Sequence, residues 1–480
     1  MKATSIFGGV QLINVIISII RSKFIAVLLG PAGMGIAGLL TSTTGFIGAL
    51  TNFGIGTSAV KDVSEANASG NHARVALIIT VLRKLVWVTG LLGMVVTIVF
   101  SPWLSRLTFG NSDFTWSFLW ISVSLLINQL SSGQMVLLQG MRRLQFLAKA
   151  NLSGSILGLM VTVPLYYYMG LKGIVPGIIA TALFTLLGSW YFARKVSIEK
   201  VKVNATVTYA EGKGMLTMGF MISVSSMIAL GVAYLVRIFI SHTGGLEEVG
   251  FYNAGFAVVN GYVGLVFAAL STDYYPRLAA VASDNTKSRI LINQQAEIAF
   301  LILAPVIIVF LVFINWIIIL LYSSKFIPVN DMILWAAMGM FFKAGSWSIA
   351  YLFLARGASR LFFWNELLAN FYVLLFNVAG YHYFGLTGLG VSFMLVYIVY
   401  LLQVYLISSK KYSFSFSKET ITIFVFQFLL VILTFAVSVL IKGNLRYLPF
   451  ALLFLASLFY SLRELDKRLG LLSLLKNRHK

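Results

Sequence analysis

A chain of 480 residues of which 59% are hydrophobic and only 11% charged, with a mean hydropathy of +0.91, is no ordinary water-soluble domain. Its formal charge of +21 suits nucleic-acid binding or membrane topology alike, but the placement of the basic residues favours topology, so no nucleic-acid partner is expected. Without cysteine there are no disulfides, thiolate metal sites or thiol nucleophiles, and His72, His242, His382 and His479 lack metal-ligand spacing.

The apolar runs are continuous over about 20 residues, where a barrel strand would alternate over about ten. The expected fold class is therefore an all-α polytopic membrane protein. Fourteen spans are read, at 5–29, 33–60, 75–100, 114–139, 151–171, 173–193, 214–241, 249–275, 297–322, 331–355, 361–383, 386–408, 420–441 and 447–463. Met1 and Lys2 lead into a first span too long for a signal-peptide core, so that helix is expected to stay. Placing the N-terminus in the cytoplasm puts 25 of the 36 Lys and Arg in cytoplasmic segments and 5 in outer ones, as the positive-inside rule requires. Both termini are then cytoplasmic.

The first span carries Arg21 about nine residues, or roughly 13 Å, before the turn at Gly30 and Pro31. A guanidinium at that depth costs about 3 kcal/mol or more unless a wet cavity or an anion receives it. Gln11, Asn14, Ser18 and Arg21 share one helical face, so this side of the helix is expected to line a solvated path. Lys23 lies about 200° around the helix from Arg21 and need not share its cavity. Further polar stripes fall on the fourth span (Asn128, Ser132, Gln139), the seventh (Ser223, Ser226, Tyr234, Arg237, Ser241) and the eighth (Asn253, Asn260, Gly264, Ser271). Arg237 lies about five residues, or roughly 7 Å, from the outer end of its span, close enough to snorkel. Lys343 is the most deeply placed charge, roughly 18 Å of helix from either end of the tenth span.

The chain repeats itself at an offset of roughly 215 residues. LLGPAGMGIAG after Arg21 matches GGLEEVGFYNAG after Arg237, FSPWLSRLTFGNSDF matches FINWIIILLYSSKF, and Arg143-Leu144 with a later GLKG match Arg360-Leu361 with GLTG. Each copy has an even number of spans, so the copies are parallel and related by an axis along the membrane normal. The expected domains are a six-helix lobe at 1–200, its repeat at 214–408, an extra helix pair at 420–463 and a basic cytoplasmic tail at 464–480. In such folds the binding site lies near the midplane where the lobes face each other.

No span of the first copy contains an acidic residue, since Asp62, Glu65 and Asp113 fall in loops. Buried cations without local carboxylates suit phosphate, which accepts charge-assisted bonds from them. Asp273, Glu297 and Glu366 lie near cytoplasmic ends and are expected to cap helices or pair with nearby arginines. Arg83 and Lys84, two turns into the third span, are expected to snorkel to anionic lipid. Gly212-Lys213 lacks the glycine and Ser/Thr of a phosphate loop, so ATP hydrolysis is not expected, and no catalytic residue, metal ligand or cofactor is assigned.

FIAVLLGPAGMGIAGLL through FGIGTSAVKDVSEA (Phe24 to Ala66) resembles the multidrug/oligosaccharidyl-lipid/polysaccharide exporter superfamily, and within it the Wzx-type flippases of O-antigen and enterobacterial common antigen units. The resemblance covers about 1–410. It implies a V-shaped pair of six-helix lobes around a cationic cavity in the bacterial inner membrane. The implied cargo is an undecaprenyl-pyrophosphate-linked glycan moved from the cytoplasmic to the periplasmic leaflet, with a polysaccharide polymerase and a chain-length regulator as partners beside the membrane lipids. Arg21 matches the family's first-span cation, and Arg237 falls where the second lobe places its own; with Lys343 they would hold the pyrophosphate. A lipid II flippase, to which a count of fourteen spans is more usual, and a cation-coupled multidrug exporter are the alternatives. A polymerase or ligase would need a long outer loop, and a major-facilitator carrier a Gly-Asp-Arg pattern that Lys61 to Arg74 lacks.

Overall fold

The structure, a computed structural model, describes residues 2–199, 201–441, 445 and 447–469, and among them there is no strand. The helices pack as two compact units, one formed by the described residues of 1–250 with 321–323 and the other by those of 251–320 and 324–480.

In the first unit the chain runs through α1 (Lys2–Leu28), α2 (Gly30–Thr51), α3 (Ile55–Ala68), α4 (His72–Val99), α5 (Ser101–Phe109), α6 (Thr115–Gly140), α7 (Leu144–Met169), α8 (Ile174–Ala193) and α9 (Ala205–Gly244). One core cluster joins Ile55, Val63, Ile79, Leu82, Val136 and Leu138, and a second joins Ile36, Leu40, Phe118, Ile121, Tyr166 and Ile174. Small residues let backbones approach where hydrophobic exclusion between apolar helices is weak. Gly154 and Gly158 of α7 seat on Thr185 and Thr181 of α8.

The second unit holds the rest of α10 (Leu246–Phe256), a π-helical stretch Ala257–Val263, α11 (Gly264–Val281), α12 (Asn285–Leu321), α13 (Asn330–Ala355), α14 (Ser359–Tyr412), α15 (Lys418–Leu440) and α16 (Tyr447–Leu469). Its core gathers Tyr274, Leu278, Ile292, Ile349, Phe353 and Val404. Glu297 of α12 forms a buried ion pair with Arg468 of α16, N to O 2.7 Å, and accepts a hydrogen bond from Thr420 of α15 at 2.7 Å. Gln427 donates to Ser461 at 2.8 Å and accepts from Ser457 at 2.7 Å, which ties α15 to α16. The tail expected over 464–480 is helical to Leu469, and residues 470–480 lie outside the described residues.

The fourteen spans fall on helical segments, with one correction. The span expected over 33–60 is two helices, because Asn52, Phe53 and Gly54 form a turn in which Phe53 and Gly54 have φ of 48° and 64° and the Asn52 side chain accepts from the Gly54 N–H at 2.7 Å. Nine helices among the described residues are long and apolar enough to cross a membrane. Two of these, Leu144–Ala193 and Ser359–Tyr412, fold back on themselves, and α1, α13 and α10–α11 fall outside the nine. The protein is a multi-pass membrane protein.

Backbone conformation repeats along the chain. Left-handed φ occurs at Gly30 and Gly245, at Arg142 and Gly357, and at Gly170 and Gly385, pairs with the same separation in sequence. Gly170 (φ 54°, ψ −134°) and Gly385 (φ 56°, ψ −140°) reverse the chain in the matched GLKG and GLTG segments. Just beyond, Gly173 abuts the Leu165 carbonyl and Gly388 the Gly380 carbonyl, again in the same register.

The first matched pair of turns also meets in space. A Cβ on Gly35 would stand 1.9 Å from the Leu246 carbonyl oxygen, and one on Gly250 would stand 2.0 Å from that of Pro31. Gly45, by contrast, faces open space. Overpacking a tight contact costs typically about 1–3 kcal/mol, and more when the obstacle is backbone. Gly35→Ala is therefore expected to lower the melting temperature of the protein in detergent by several degrees, with Gly45→Ala unchanged, and equal melting temperatures for the two would contradict the crossing.

Candidate functional site

The polar face of α1 rests on α7. Asn14 Oδ1 accepts from Ser155 Oγ at 3.2 Å, Ser18 is exposed one turn further on, and Arg21 is half-buried. The side chain of Gln11 lies outside the described residues. Arg21 has no hydrogen bond or ion pair among the described residues, and its Nε is buried without a partner. Tyr166 of α7, itself buried, is its electrostatic neighbour. A buried donor left unsatisfied is costly, and this Nε shares that condition with atoms of Gln295, Arg356 and Tyr372 among the described residues. Lys23 is half-buried and makes interactions of its own. Arg237 of α9 is half-buried, its Nη1 donating to the Ala233 carbonyl at 2.8 Å one turn back, with further interactions beyond that bond.

In the second unit, Lys343 and Asn260 come together. Lys343 Nζ donates to Asn260 Oδ1 at 3.0 Å and lies 5.2 Å from the ring centroid of Tyr397, 5.7 Å from Phe393 and 5.8 Å from Phe267. All three rings fall within the range in which an aromatic face attracts a cation. No carboxylate pairs with Lys343 among the described residues. Asn260 sits in the π-helical stretch, where an extra backbone residue re-aims the side chains that follow, a distortion common at functional sites. The aromatic enclosure was not read from the sequence. Phe393 and Tyr397 stand four apart on one face of α14, a usable signal, but nothing in the sequence sets that face against α13.

Such a shell stabilises an ammonium without neutralising it. A carboxylate partner would cancel the charge, whereas rings and an amide oxygen leave its field intact and leave further N–H donors for an anion. Ring faces at this spot also suit the apolar faces of sugars.

The other expected positions are more dispersed. Asn253 is half-buried in α10 with interactions of its own, and Asn128 is exposed on α6, beside the buried Gln129 that donates to Thr89 at 2.9 Å. Tyr234 is structural, its hydroxyl 2.5 Å from that of Thr108. Asp273 pairs with Arg277 at 2.9 Å and Glu297 with Arg468. Glu366, expected to cap a helix or to pair with an arginine, is bonded to a tyrosine. It accepts from the Tyr400 hydroxyl at 2.7 Å and has no ion pair among the described residues. Tyr372, buried nearby, has a hydroxyl without a partner.

At the start of α9, Glu211 receives both terminal nitrogens of Arg74, at 2.6 and 2.9 Å, a two-pronged bond from α4. The pair lines a 440 Å³ cavity with Asp62, Glu65, Ser69 and Met215. Asp62 lies on α3, outside the membrane-crossing helices. Burial, and then the charge of Glu65, push its carboxyl above the usual range, against the pull of Lys61 and Arg74.

Apolar helices that cross a membrane repeatedly and hold cations without counter-charges have the build of a membrane transporter. The fold is similar to those of solved membrane transporters, some of them described as members of the MOP superfamily. It is similar to a lipid II flippase, MurJ, in an inward closed conformation (TM-score 0.70, 12% identity, 96% of this chain and 99% of the other). It is also similar to an inward-facing multidrug resistance MATE transporter (TM-score 0.69, 14% identity, 83% and 94%). The chain belongs to the polysaccharide biosynthesis protein family, whose model matches residues 24–331. It is 22% identical over 404 residues to the lipid III flippase of Escherichia coli (strain K12), covering 83% of this chain and 95% of that one. A Shigella flexneri protein named as an O-antigen transporter is 24% identical over 310 residues, 63% of this chain and 71% of its own.

The Asp62 shift has a definite sign. A carboxyl that binds its proton more tightly when folded makes the protein lose stability as pH rises from the ordinary value near 4 through the raised one. Asp62→Asn removes that loss. Its melting temperature in detergent is expected to match the wild type at low pH and to exceed it at neutral pH, and a variant that is less stable at neutral pH would show the ionised carboxylate to be favourable where it stands.

Proposed function

We propose that the protein is a flippase that carries an undecaprenyl-pyrophosphate-linked oligosaccharide repeat unit, of the O-antigen or enterobacterial common antigen type, across the bacterial inner membrane. The observation that carries this reading is Lys343, held by rings and an amide oxygen with no ion pair among the described residues, together with the Arg21 Nε, buried with no hydrogen-bond partner among them. Phosphate is the anion that such groups bind best, through charge-assisted bonds in a medium of low dielectric. The names of the relatives point to the same cargo class.

In this mechanism the polyprenyl tail stays in lipid while the pyrophosphate and sugars enter a wet path, and the chain moves as two repeat-related lobes, 1–200 and 214–408. Arg21, Arg237 and Lys343, with Lys23 as a further cation, hold the pyrophosphate; Phe393 and Tyr397 offer ring faces to sugars, and Asn14, Ser18, Asn128, Asn253 and Asn260 supply polar contacts. Gln11, by sequence, shares the face of Asn14. No covalent step is needed. Alternating access of the lobes moves the headgroup from the cytoplasmic to the periplasmic leaflet, where a polysaccharide polymerase and its chain-length regulator would consume it. The distribution of Lys and Arg supports a cytoplasmic location for both termini.

Two substitutions test the reading. Arg21→Ala is expected to abolish surface-glycan assembly and to leave lipid-linked units on the inner leaflet, and normal glycan levels in that strain would remove Arg21 from the site. Lys343→Met keeps the length of the side chain within its aromatic enclosure, so the protein is expected to fold while transport falls at least tenfold. A fully active Lys343→Met protein would return the lysine to a packing role.

A further inference from the structure

Two hollows border the packed pair α4 and α9, and their charges differ. The cavity shared with α3 holds Asp62, Glu65 and Glu211, with Arg74 already committed to Glu211. The other is a groove of 740 Å³ to which α4 contributes Arg83, Lys84 and Trp87 and α9 contributes Tyr209 and Lys213. No carboxylate lines it.

The groove is built by helical spacing. Thr80, Arg83, Lys84, Trp87 and Val88 recur at three and four residues on one face of α4, and Thr208, Tyr209, Gly212, Lys213 and Leu216 do so on α9. Gly212 lets the floor close, since a Cβ there would meet Leu85 at 3.0 Å. Arg83 and Lys213 make no hydrogen bond or ion pair among the described residues, and Lys84 spends one donor on the Val203 carbonyl. Trp87 and Tyr209 are exposed at its rim, the residue types that settle at the membrane interface. Counting from the starts of α4 and α9, Arg83 and Lys213 lie about 16 and 12 Å along their helices, so both long side chains come from a similar depth.

We propose that this groove is a binding site for an anionic glycerophospholipid of the cytoplasmic leaflet, its phosphate held by Arg83, Lys84 and Lys213 and an acyl chain laid over Leu85, Val88 and Leu216. Basic pockets between membrane helices on the cytoplasmic side take such headgroups. A soluble phosphate would make no use of the apolar floor, which is why a lipid is the occupant. The site rests on the proposed topology only for its leaflet. It is separate from the cations assigned to the transported substrate.

The test reads binding, not transport, so its failure leaves the flippase reading standing. Purified full-length protein is titrated with phosphatidylglycerol or phosphatidylcholine and retained lipid is counted by native mass spectrometry. Wild type is expected to retain phosphatidylglycerol over phosphatidylcholine, and R83Q/K84Q/K213Q to bind phosphatidylglycerol on the order of a hundredfold more weakly, as loss of three surface-proximal charges implies. R142Q/R143Q/K149Q, which removes equal charge from another basic segment, is expected to retain it as wild type does. An equal loss in both variants would reduce the effect to bulk charge and overturn the site, as would unaltered retention in the first. Inorganic pyrophosphate that displaces phosphatidylglycerol at equal concentration would overturn the lipid as occupant. Unchanged melting temperatures in phosphatidylcholine establish that both variants are folded, and the three substituted side chains are exposed.

Discussion

A positive charge inside an apolar helix must be solvated by something, and among the described residues the usual solution, a neighbouring carboxylate, pairs with neither Lys343 nor Arg21. Insertion of such a residue costs about 3 kcal/mol or more. At Lys343 the cost is offset by an amide oxygen and three ring faces, where a hydrogen bond from a charged group contributes about 1.5–3 kcal/mol and a cation–π contact about 0.5–2 kcal/mol. The ammonium is thus tolerated without a counter-charge among the described residues. An anion can arrive without breaking an ion pair first, which keeps the exchange with water reversible. The Glu297–Arg468 pair does the opposite: its charges cancel, and it fastens α12 to α16.

The scaffold that holds these groups depends on close backbone approach. Glycines at 35 and 250 allow the two matched turns to touch, and Gly54 and Gly219 do the same where α9 passes the break between α2 and α3. Polar ties then fix α9 along its length, with Arg74 on Glu211 at one end and His242 Nε2 2.9 Å from the Leu107 carbonyl at the other. Apolar side chains alone would let such helices slide, because lipid and helix surfaces are equally greasy. Glycine contacts and buried hydrogen bonds specify one register.

Charge is sorted around α4 and α9 in a way that net charge conceals. The acidic residues near their starts share one cavity with a single arginine, while three lysine and arginine side chains share the other. Mixed together, these groups would pair and leave neither surface charged. Kept apart, they give one helix pair two electrostatic faces, each able to act on a different neighbour. The same separation explains why Asp62 holds its proton more tightly: its nearest company is burial and another carboxylate.

Hydropathy, the even spacing of spans and the spread of Lys and Arg determined by themselves that this is a polytopic helical membrane protein, since the cost of bare backbone and charge in lipid leaves few alternatives. The turns of the matched segments were legible too, because left-handed turns favour glycine, and the glycines at 30, 170, 245 and 385 have positive φ in the structure. Arg21 and Lys343 stood out for depth alone. What surrounds them was decided only by packing: Phe267, Phe393 and Tyr397 come from helices far apart in sequence, and an aromatic residue on a membrane helix faces lipid, core or cavity with the same local pattern. Glu366 shows the same limit, for its position near a helix end suggested a cap or an arginine partner, and tertiary contacts supplied the Tyr400 hydroxyl. The period of a helix records which residues share a face, and only the neighbouring helix determines what that face meets.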